Sequence, residues 1–103
     1  MSLVIGISAK VTFPELIGYK KLSNGIICKL KIPSNCARVC IGDRWRCAHA
    51  IVLEGDGASR YDPKFLYVVG QRVIANGFNS SESPYGCGIY FHLTREVAES
   101  YWR

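Results

Sequence analysis

The amino-acid sequence predicts an α+β fold in which a small, mostly antiparallel β-sheet is followed by a C-terminal helix packed on one face. Short runs of strand-forming residues are separated by Gly, Pro and Asn, and residues 26–32 alternate between two kinds of side chain. Near the C-terminus the apolar spacing becomes helical. With 103 residues, 49% of them apolar, the chain can form one core, so we expect a single domain over residues 1–103.

A hairpin is predicted around Asn24 and Gly25, because both residue types tolerate the positive φ angles of a tight turn. It joins two extended runs, the first beginning near Tyr19 and the second ending at Pro33. The side chains expected on the buried face of the second run are Ile26, Cys28, Leu30 and Ile32. The opposite face carries Ile27, Lys29 and Lys31, and we expect it to be solvated.

Further strands are predicted in the middle of the chain. Residues 47–54 are apolar on both faces, which is typical of a strand near the centre of a sheet. An acidic, glycine-bearing turn is expected over residues 54–59. Residues 65–69 form the next strand, Gly70 interrupts it, and residues 72–75 continue it.

The C-terminal part is predicted to contain a polar loop, a strand and a helix. The loop covers residues 79–88, the strand residues 89–93 and the helix residues 95–102. Thr94 is a suitable N-cap, since its hydroxyl can accept a hydrogen bond from an amide of the first helical turn. The residues expected to pack against the sheet at helical spacing are Val97, Ala98 and Tyr101.

The cysteines raise the question of a metal site. Five cysteines, an odd number, argue against a complete disulfide framework and indicate reduced thiols. The apolar residues 1–8 lack a basic leading region and are soon followed by Lys10, which does not fit a signal peptide, so we expect a cytoplasmic protein. The residues that could form a zinc site are Cys36, Cys40, Cys47 and His49. The alternative is that these cysteines are small buried hydrophobes, because no second closely spaced pair follows Cys36 and Cys40. We predict no metal, no other cofactor and no membrane-spanning segment.

Positive charge is concentrated in the first half of the chain. The first 51 residues contain eight basic and two acidic residues, whereas the whole chain has a net charge of +5. Such asymmetry can indicate a surface for phosphates or for an acidic partner. The candidate basic face consists of Lys20, Lys29 and Lys31. A second candidate cluster for ligand binding consists of Arg44, Trp45 and Arg46, because guanidinium groups bind phosphate and an indole can stack on a base.

No phosphate-binding glycine loop, nucleophile elbow or zinc-protease helix occurs in the sequence, and we predict that the protein is not an enzyme. Residues 88–91 read Gly-Ile-Tyr-Phe, and residues 98–101 contain an Ala-x-x-Tyr pattern. This stretch resembles the catalytic domain of the poly-ADP-ribosyltransferases, and the resemblance implies that Tyr90 stacks on nicotinamide. His49, however, lies between two alanines, which departs from the His-Gly-Thr/Ser context of that family.

Several short motifs are spread over residues 24–103, namely GIICKLKIP at 25–33, CAR at 36–38, RCA at 46–48, YDPKF at 61–65 and TRE at 94–96. Together they resemble an uncharacterised domain that occurs beside pentapeptide repeats and in phage and large-virus proteins. The resemblance implies a domain boundary but no activity.

The sequence therefore predicts a binding or assembly module. Further candidate ligand contacts are His92, which shares a strand face with Tyr90, and Tyr85 in the preceding loop. We expect a homodimer, because one helix leaves part of a small sheet uncovered, and a protein partner is a further expectation. The alternatives are an NAD-binding remnant of the transferase fold and a weak nucleic-acid binder that uses the basic N-terminal half.

Overall fold

The computed structural model describes residues 2–5, 13–42, 44–79 and 86–100. In chain order its elements are β1 (Ser2–Ile5), β2 (Leu16–Lys21), β3 (Ile27–Ile32), β4 (Arg38–Ile41), β5 (Arg44–Cys47), β6 (His49–Glu54), β7 (Gly57–Ala58), β8 (Leu66–Tyr67), β9 (Arg72–Ile74), β10 (Ile89–Phe91) and α1 (Arg95–Ser100). Mostly antiparallel strands with one short C-terminal helix agree with the predicted α+β class. No helix in these ranges is both long enough and apolar enough to cross a bilayer.

The strands form two four-stranded sheets and a short ribbon. The first sheet has the order β1-β4-β5-β10, the second has the order β2-β3-β6-β9, and β7 pairs with β8. All of these strand pairs are antiparallel. Because β6 lies between β3 and β9, the prediction of a central strand in this part of the chain is confirmed.

The two sheets are connected at two places. Ala48 lies between β5 and β6, where its amide donates to the Ala37 carbonyl (3.1 Å) and its carbonyl accepts from the Ala75 amide (2.9 Å). At the other place, His92 directly after β10 pairs with Tyr19 of β2. As a result, the strands form a closed circuit in the order β2, β3, β6, β5 and β10. In this circuit β6 and β5 are joined through the chain at Ala48, and β10 and β2 are joined by the pair of His92 and Tyr19.

The hairpin between β2 and β3 forms as predicted. Gly25 has a φ of 85°, and its amide donates to the Leu22 carbonyl at 2.9 Å. The side-chain oxygen of Asn24 accepts from the Ile26 amide at 3.0 Å, which adds a local bond that stabilises the turn. The hairpin therefore fixes the register in which Lys20 lies opposite Cys28.

The core lies inside the circuit of strands. Its fully buried side chains include Leu22, Cys28, Leu30, Ile32, Cys47, Val52 and Phe91. Gly18 of β2 lies directly against the Phe91 ring, and a Cβ at this position would overlap the ring. Glycine thus allows β2 to pass close to the aromatic centre of the core.

Several predicted elements have different limits in the structure. The strand predicted over residues 47–54 is interrupted at Ala48, and the strand predicted over residues 65–69 contains only Leu66–Tyr67. The turn predicted at residues 54–59 includes β7, which pairs with β8. These short pairings depend on distant partners, so local residue preference does not determine their ends.

The C-terminal helix begins after Thr94, as predicted. The Thr94 hydroxyl accepts from the Val97 amide at 3.2 Å, which satisfies one of the first amides of the helix. Helix α1 contacts β2 and β3, and Ala98 is buried. Tyr101, the third residue expected on this helix face, lies outside the described residues.

Candidate functional site

A cleft of about 610 Å³ opens beside β2 and β10. Distant parts of the chain form its walls: the C-terminal end of β2, the start of β5, the segment before and within β8, the loop after β9, the approach to β10 with the start of that strand, and the helix. The principal side chains on these walls are Lys20, Lys21, Arg44, Arg60, Tyr61, Asp62, Phe65, Tyr67, Tyr90 and His92. Three of the predicted ligand contacts, Arg44, Tyr90 and His92, therefore share one cavity.

The charged side chains of the cleft are predominantly basic. Four of them are cations, contributed by Lys20, Lys21, Arg44 and Arg60, whereas Asp62 is the acidic residue among the described lining. Lys21 Nζ donates to the Glu99 carbonyl oxygen at 3.3 Å, which places this amine at the end of helix α1. Low-dielectric walls strengthen the field of such a cluster, so the described cations give the cleft a positive electrostatic potential.

The lining of the cleft also contains aromatic rings close to these cations. The Phe65 and Tyr67 rings lie 5.3 Å apart, and the Arg60 guanidinium lies 5.8 Å from the centre of the Tyr61 ring. Tyr61 is 89% exposed, so the ring face away from Arg60 is accessible to a ligand. An exposed tyrosine beside an arginine is a suitable platform for stacking a planar ring.

Tyr90 lies directly opposite Arg46 in the pairing of β10 with β5. Its hydroxyl donates to the Gly86 carbonyl at 2.6 Å, and the Arg46 guanidinium lies 6.0 Å from its ring centre. Burial raises the pKa of the Tyr90 phenol, while the positive charges of Arg46 and Arg44 act in the opposite direction. The hydrogen bond to Gly86 therefore holds the ring in a fixed orientation at the cleft wall.

Arg46 is buried against Gly86, a residue of the cleft lining, but does not line the cleft itself. The residue is 2% exposed, and its guanidinium packs so closely on Gly86 that a Cβ there would overlap it. Because side chains alternate along a strand, Trp45 points away from both neighbouring arginines. Its ring lies 5.9 Å from that of Phe91, and it borders a separate small pocket with Leu93 and Val97. The predicted cluster of Arg44, Trp45 and Arg46 is thus divided.

The three lysines predicted as a basic face do not lie on one face. Lys20 pairs with Cys28, whereas Lys29 pairs with Tyr19, so the period-two alternation places Lys20 on the opposite side of the hairpin from Lys29 and Lys31. Lys29 Nζ is also 3.7 Å from a Glu54 carboxylate oxygen. Tyr85, the remaining predicted contact, lies outside the described residues.

Two of the four candidate zinc ligands, Cys36 and Cys47, lie close together as a thiol pair. Cys36 Sγ and Cys47 Sγ both lie 3.4 Å from the His49 carbonyl oxygen. Interaction between the two thiols lowers the pKa of Cys36 and, together with burial, raises that of Cys47. Cys40 Sγ instead donates to the Gly42 carbonyl oxygen. In the part of the chain that the structure describes, no three His, Cys, Asp or Glu side chains are grouped to hold a metal ion.

His49 is not part of the cleft lining. Its Nδ1 is buried and makes no hydrogen bond to the described residues. The transferase resemblance predicts a pocket in which His49, Tyr90 and His92 converge. Only Tyr90 and His92 of these three line the cavity.

Four further residues of the cleft were not predicted from the sequence, namely Lys21, Arg60, Tyr61 and Tyr67. The signal that could have identified two of them is the run Arg60-Tyr61, a cation beside an aromatic residue immediately before an Asp-Pro turn. Lys21 and Tyr67 carry no local signal, because their place in the cleft depends on the pairing of β2 and β8 with distant strands.

Comparison with known proteins gives a family but no activity. No curated protein and no solved structure is significantly similar to the chain. A protein family does match it, and the match covers residues 7–98, which include the described lining of the cleft. This agrees with the predicted likeness to an uncharacterised domain. The chain belongs to this family, DUF5758, a family of unknown function.

Proposed function

We propose that this protein is a non-catalytic binding module whose cleft takes a small anionic ligand that carries a planar ring, with nucleotides as the ligand class. The observation that supports this most directly is the convergence of Arg44, Arg60, Tyr61 and Tyr90 on one cavity. These residues come from three separate segments of the chain.

The cations provide the attraction for the ligand's charged group. Arginine binds phosphate through two parallel N–H···O bonds, and such charge-assisted bonds are about twice as strong as neutral ones. Arg44 and Arg60 enter the cavity from different walls, one from β5 and one from the segment before β8. A phosphate or pyrophosphate between them would receive donors from two sides.

The rings provide the second part of the interaction. Stacking of a base on an aromatic side chain contributes about 1–3 kcal/mol. Tyr61 offers an exposed ring at the rim, and Tyr90 offers a ring fixed by its bond to Gly86. The volume of about 610 Å³ lies within the range of small-molecule sites, which favours a mononucleotide or dinucleotide over a nucleic-acid strand.

A second candidate ligand is NAD. It is favoured by the position of Tyr90, the residue that the transferase resemblance assigns to nicotinamide, on the same cavity as His92 and the arginines. NAD contains two rings and a pyrophosphate, so it satisfies the same features of the cleft.

We also propose a cellular location, a packing arrangement for the helix and an assembly state. A cytoplasmic location is supported by the five free thiols. Packing of helix α1 on one face of the sheet is supported by the buried Ala98 and by the bond from Lys21 to Glu99. A homodimer or a protein partner is supported by the exposed apolar residues Leu66, Val69 and Ile74.

A thermal-shift experiment tests the proposed ligand class. The panel contains adenosine, AMP, ADP, NAD, inorganic pyrophosphate and a short single-stranded oligonucleotide. A ligand at one hundred times its Kd stabilises the folded state by about 2.7 kcal/mol. We expect ADP or NAD to raise the melting temperature more than adenosine does, and Arg44→Ala and Arg60→Ala to reduce the shift.

Arg72→Ala is the matched control, because Arg72 is an exposed arginine of β9 that does not line the cleft. A shift by NAD alone that Tyr90→Ala removes would select the second candidate. Stabilisation by the oligonucleotide alone would favour the nucleic-acid alternative. If neither the nucleotides nor pyrophosphate changes the melting temperature, the proposed function is contradicted.

A further inference from the structure

Lys20 occupies a different environment from the other cations of the cleft. Its partner across the hairpin is the fully buried Cys28, so its side chain is on the core side of β2. Its Nζ lies 5.3 Å from the centre of the Tyr67 ring, which is itself 2% exposed. The Lys20 amine therefore borders the cleft from an apolar wall.

Among the described residues, the Lys20 ammonium group forms no ion pair with a carboxylate. Burial raises the pKa of Cys28 to about 12 and also raises that of Tyr67, so both groups are neutral at pH 7. The ion pairs found among the described residues, Lys29–Glu54 and Arg95–Glu54, do not involve Lys20.

The amine is consequently easier to deprotonate than an ordinary lysine. Burial lowers the pKa of Lys20 to about 8, with the neighbouring thiols Cys28 and Cys47 acting in the opposite direction. At pH 7 about one such amine in ten is neutral, whereas an unperturbed lysine is neutral in fewer than about one molecule in a thousand. Neutral lysine is the form that attacks carbonyl carbon.

We propose that Lys20 is a covalent binding site, at which its ε-amine condenses with the aldehyde or ketone group of a ring-bearing anion held in the cleft. This inference rests on the proposed function, because the arginines and tyrosines described above would hold the anion and its ring. It adds a carbonyl group to the chemical description of the ligand.

The reaction needs no oxidant, reductant or metal. The nitrogen lone pair of Lys20 attacks the carbonyl carbon, and the resulting carbinolamine loses one molecule of water to leave a C=N bond. Hydrolysis by water reverses both steps. The cleft would favour the forward reaction by holding the carbonyl beside the amine, which raises its effective concentration.

Pyridoxal 5′-phosphate is a suitable probe, because it combines an aromatic ring, a phosphate and an aldehyde. The full-length protein is incubated with the probe at pH 7.5, the imine is reduced with borohydride, and the modified lysines are located by peptide mass spectrometry. We expect Lys20 to be labelled about tenfold more than Lys21 or Lys31, because part of its amine is neutral at this pH and the cleft holds the aldehyde beside it.

Lys20→Arg should remove the preferred adduct while retaining a positive charge, and Lys31→Arg, on the outer face of β3, should leave it unchanged. Labelling spread evenly over the lysines, or absent from Lys20, would overturn the inference. The wild-type peptide map decides this even if Lys20→Arg does not fold.

Pyridoxine 5′-phosphate, which has an alcohol in place of the aldehyde, separates the inference from the proposed function. If it protects Lys20 from labelling, the anion site and the covalent site coincide, as proposed. If it binds and the aldehyde forms no Lys20 adduct, only the covalent inference fails. A Lys20 adduct that neither pyridoxine phosphate nor ADP suppresses would contradict the proposed anion site while supporting the reactive amine.

Discussion

Tyr19 and His92 exchange both of their backbone hydrogen bonds, with N···O distances of 2.7 and 2.8 Å. This single pair joins the N-terminal hairpin to the C-terminal strand across more than seventy residues of sequence. It also places Lys20, the next residue along β2, on the same cavity as Tyr90 and His92. The candidate site therefore depends directly on closure of the strand circuit.

Gly18→Ala tests the close packing beside this pair. The added methyl group would overlap the buried Phe91 ring, so we expect a loss of about 1–3 kcal/mol in the free energy of unfolding. Urea denaturation measures it. The matched control is Gly77→Ala, where a Cβ would make an ordinary 3.8 Å contact with Cys87 and should change stability by less than about 0.5 kcal/mol. Equal stability of the two variants would contradict the close approach.

Arg38→Met tests a buried arginine that has a structural role. Its guanidinium donates to three carbonyl oxygens, those of Cys36 (2.9 Å), Pro14 (2.7 Å) and Pro33 (2.8 Å). Without these donors the carbonyls are left poorly satisfied, and we expect a loss of about 3–5 kcal/mol by urea denaturation.

The control for this variant is Arg72→Met. Arg72 is exposed on β9, so its replacement should alter stability by less than about 0.5 kcal/mol. A loss below about 1 kcal/mol for Arg38→Met would show that its three hydrogen bonds contribute little to the fold.

Lys20→Met tests the half-buried amine through the pH dependence of stability. The folded-state pKa of Lys20, about 8, is below the value of 10.5 for a solvent-exposed lysine, so the unfolded state binds more protons between these two pH values. The Lys20 contribution to unfolding free energy therefore rises with pH in this window, by as much as about 3 kcal/mol. Below pH 8 the cost of burying the ammonium group is fully present.

We expect Lys20→Met to be more stable than the wild type at pH 7, with the difference shrinking between pH 8 and pH 10.5. Comparing the two proteins at each pH is essential, because the raised pKa values of Cys28, Cys47 and Tyr67 give an opposite trend in both proteins at alkaline pH. A stability difference that does not vary with pH would show that Lys20 titrates normally.

Sedimentation velocity at high protein concentration tests the predicted homodimer. Strand β9 is an edge strand, because among the described residues it pairs with β6 on one side and with no strand on the other. Ile74 on this strand is 65% exposed. We expect twice the monomer mass of 11.5 kDa, and Ile74→Lys should shift the population toward monomer because a charge on an edge strand opposes pairing. A clean wild-type monomer would contradict this expectation.

Strand β3 shows how much of the fold a local pattern predicts. Its alternation predicted that Cys28, Leu30 and Ile32 are buried, and all three are completely inaccessible to solvent. Ile26 was assigned to the same face but is 46% exposed, because the strand begins one residue later, at Ile27. Side-chain alternation was therefore predictable, whereas the point at which the turn ends was not.

The cleft was harder to predict because its residues are far apart in sequence. Arg44, Tyr90 and His92 were identified individually from their residue types, but their convergence depends on the pairing of β10 with β5 and β2. Sequence proximity misleadingly grouped Trp45 with Arg44, although strand alternation turns the indole toward Phe91. Local spacing contains no information on these long-range pairings.

The central claim, that the cleft beside β2 and β10 binds an anionic ring-bearing ligand, is tested most directly by titrating the ¹⁵N-labelled protein with ADP and following backbone amide shifts by NMR. We expect concentration-dependent shifts concentrated at Lys20, Tyr61, Gly86 and Tyr90, which line the cleft. No shifts, or shifts confined to the separate pocket beside Trp45 and Val97, would contradict the claim.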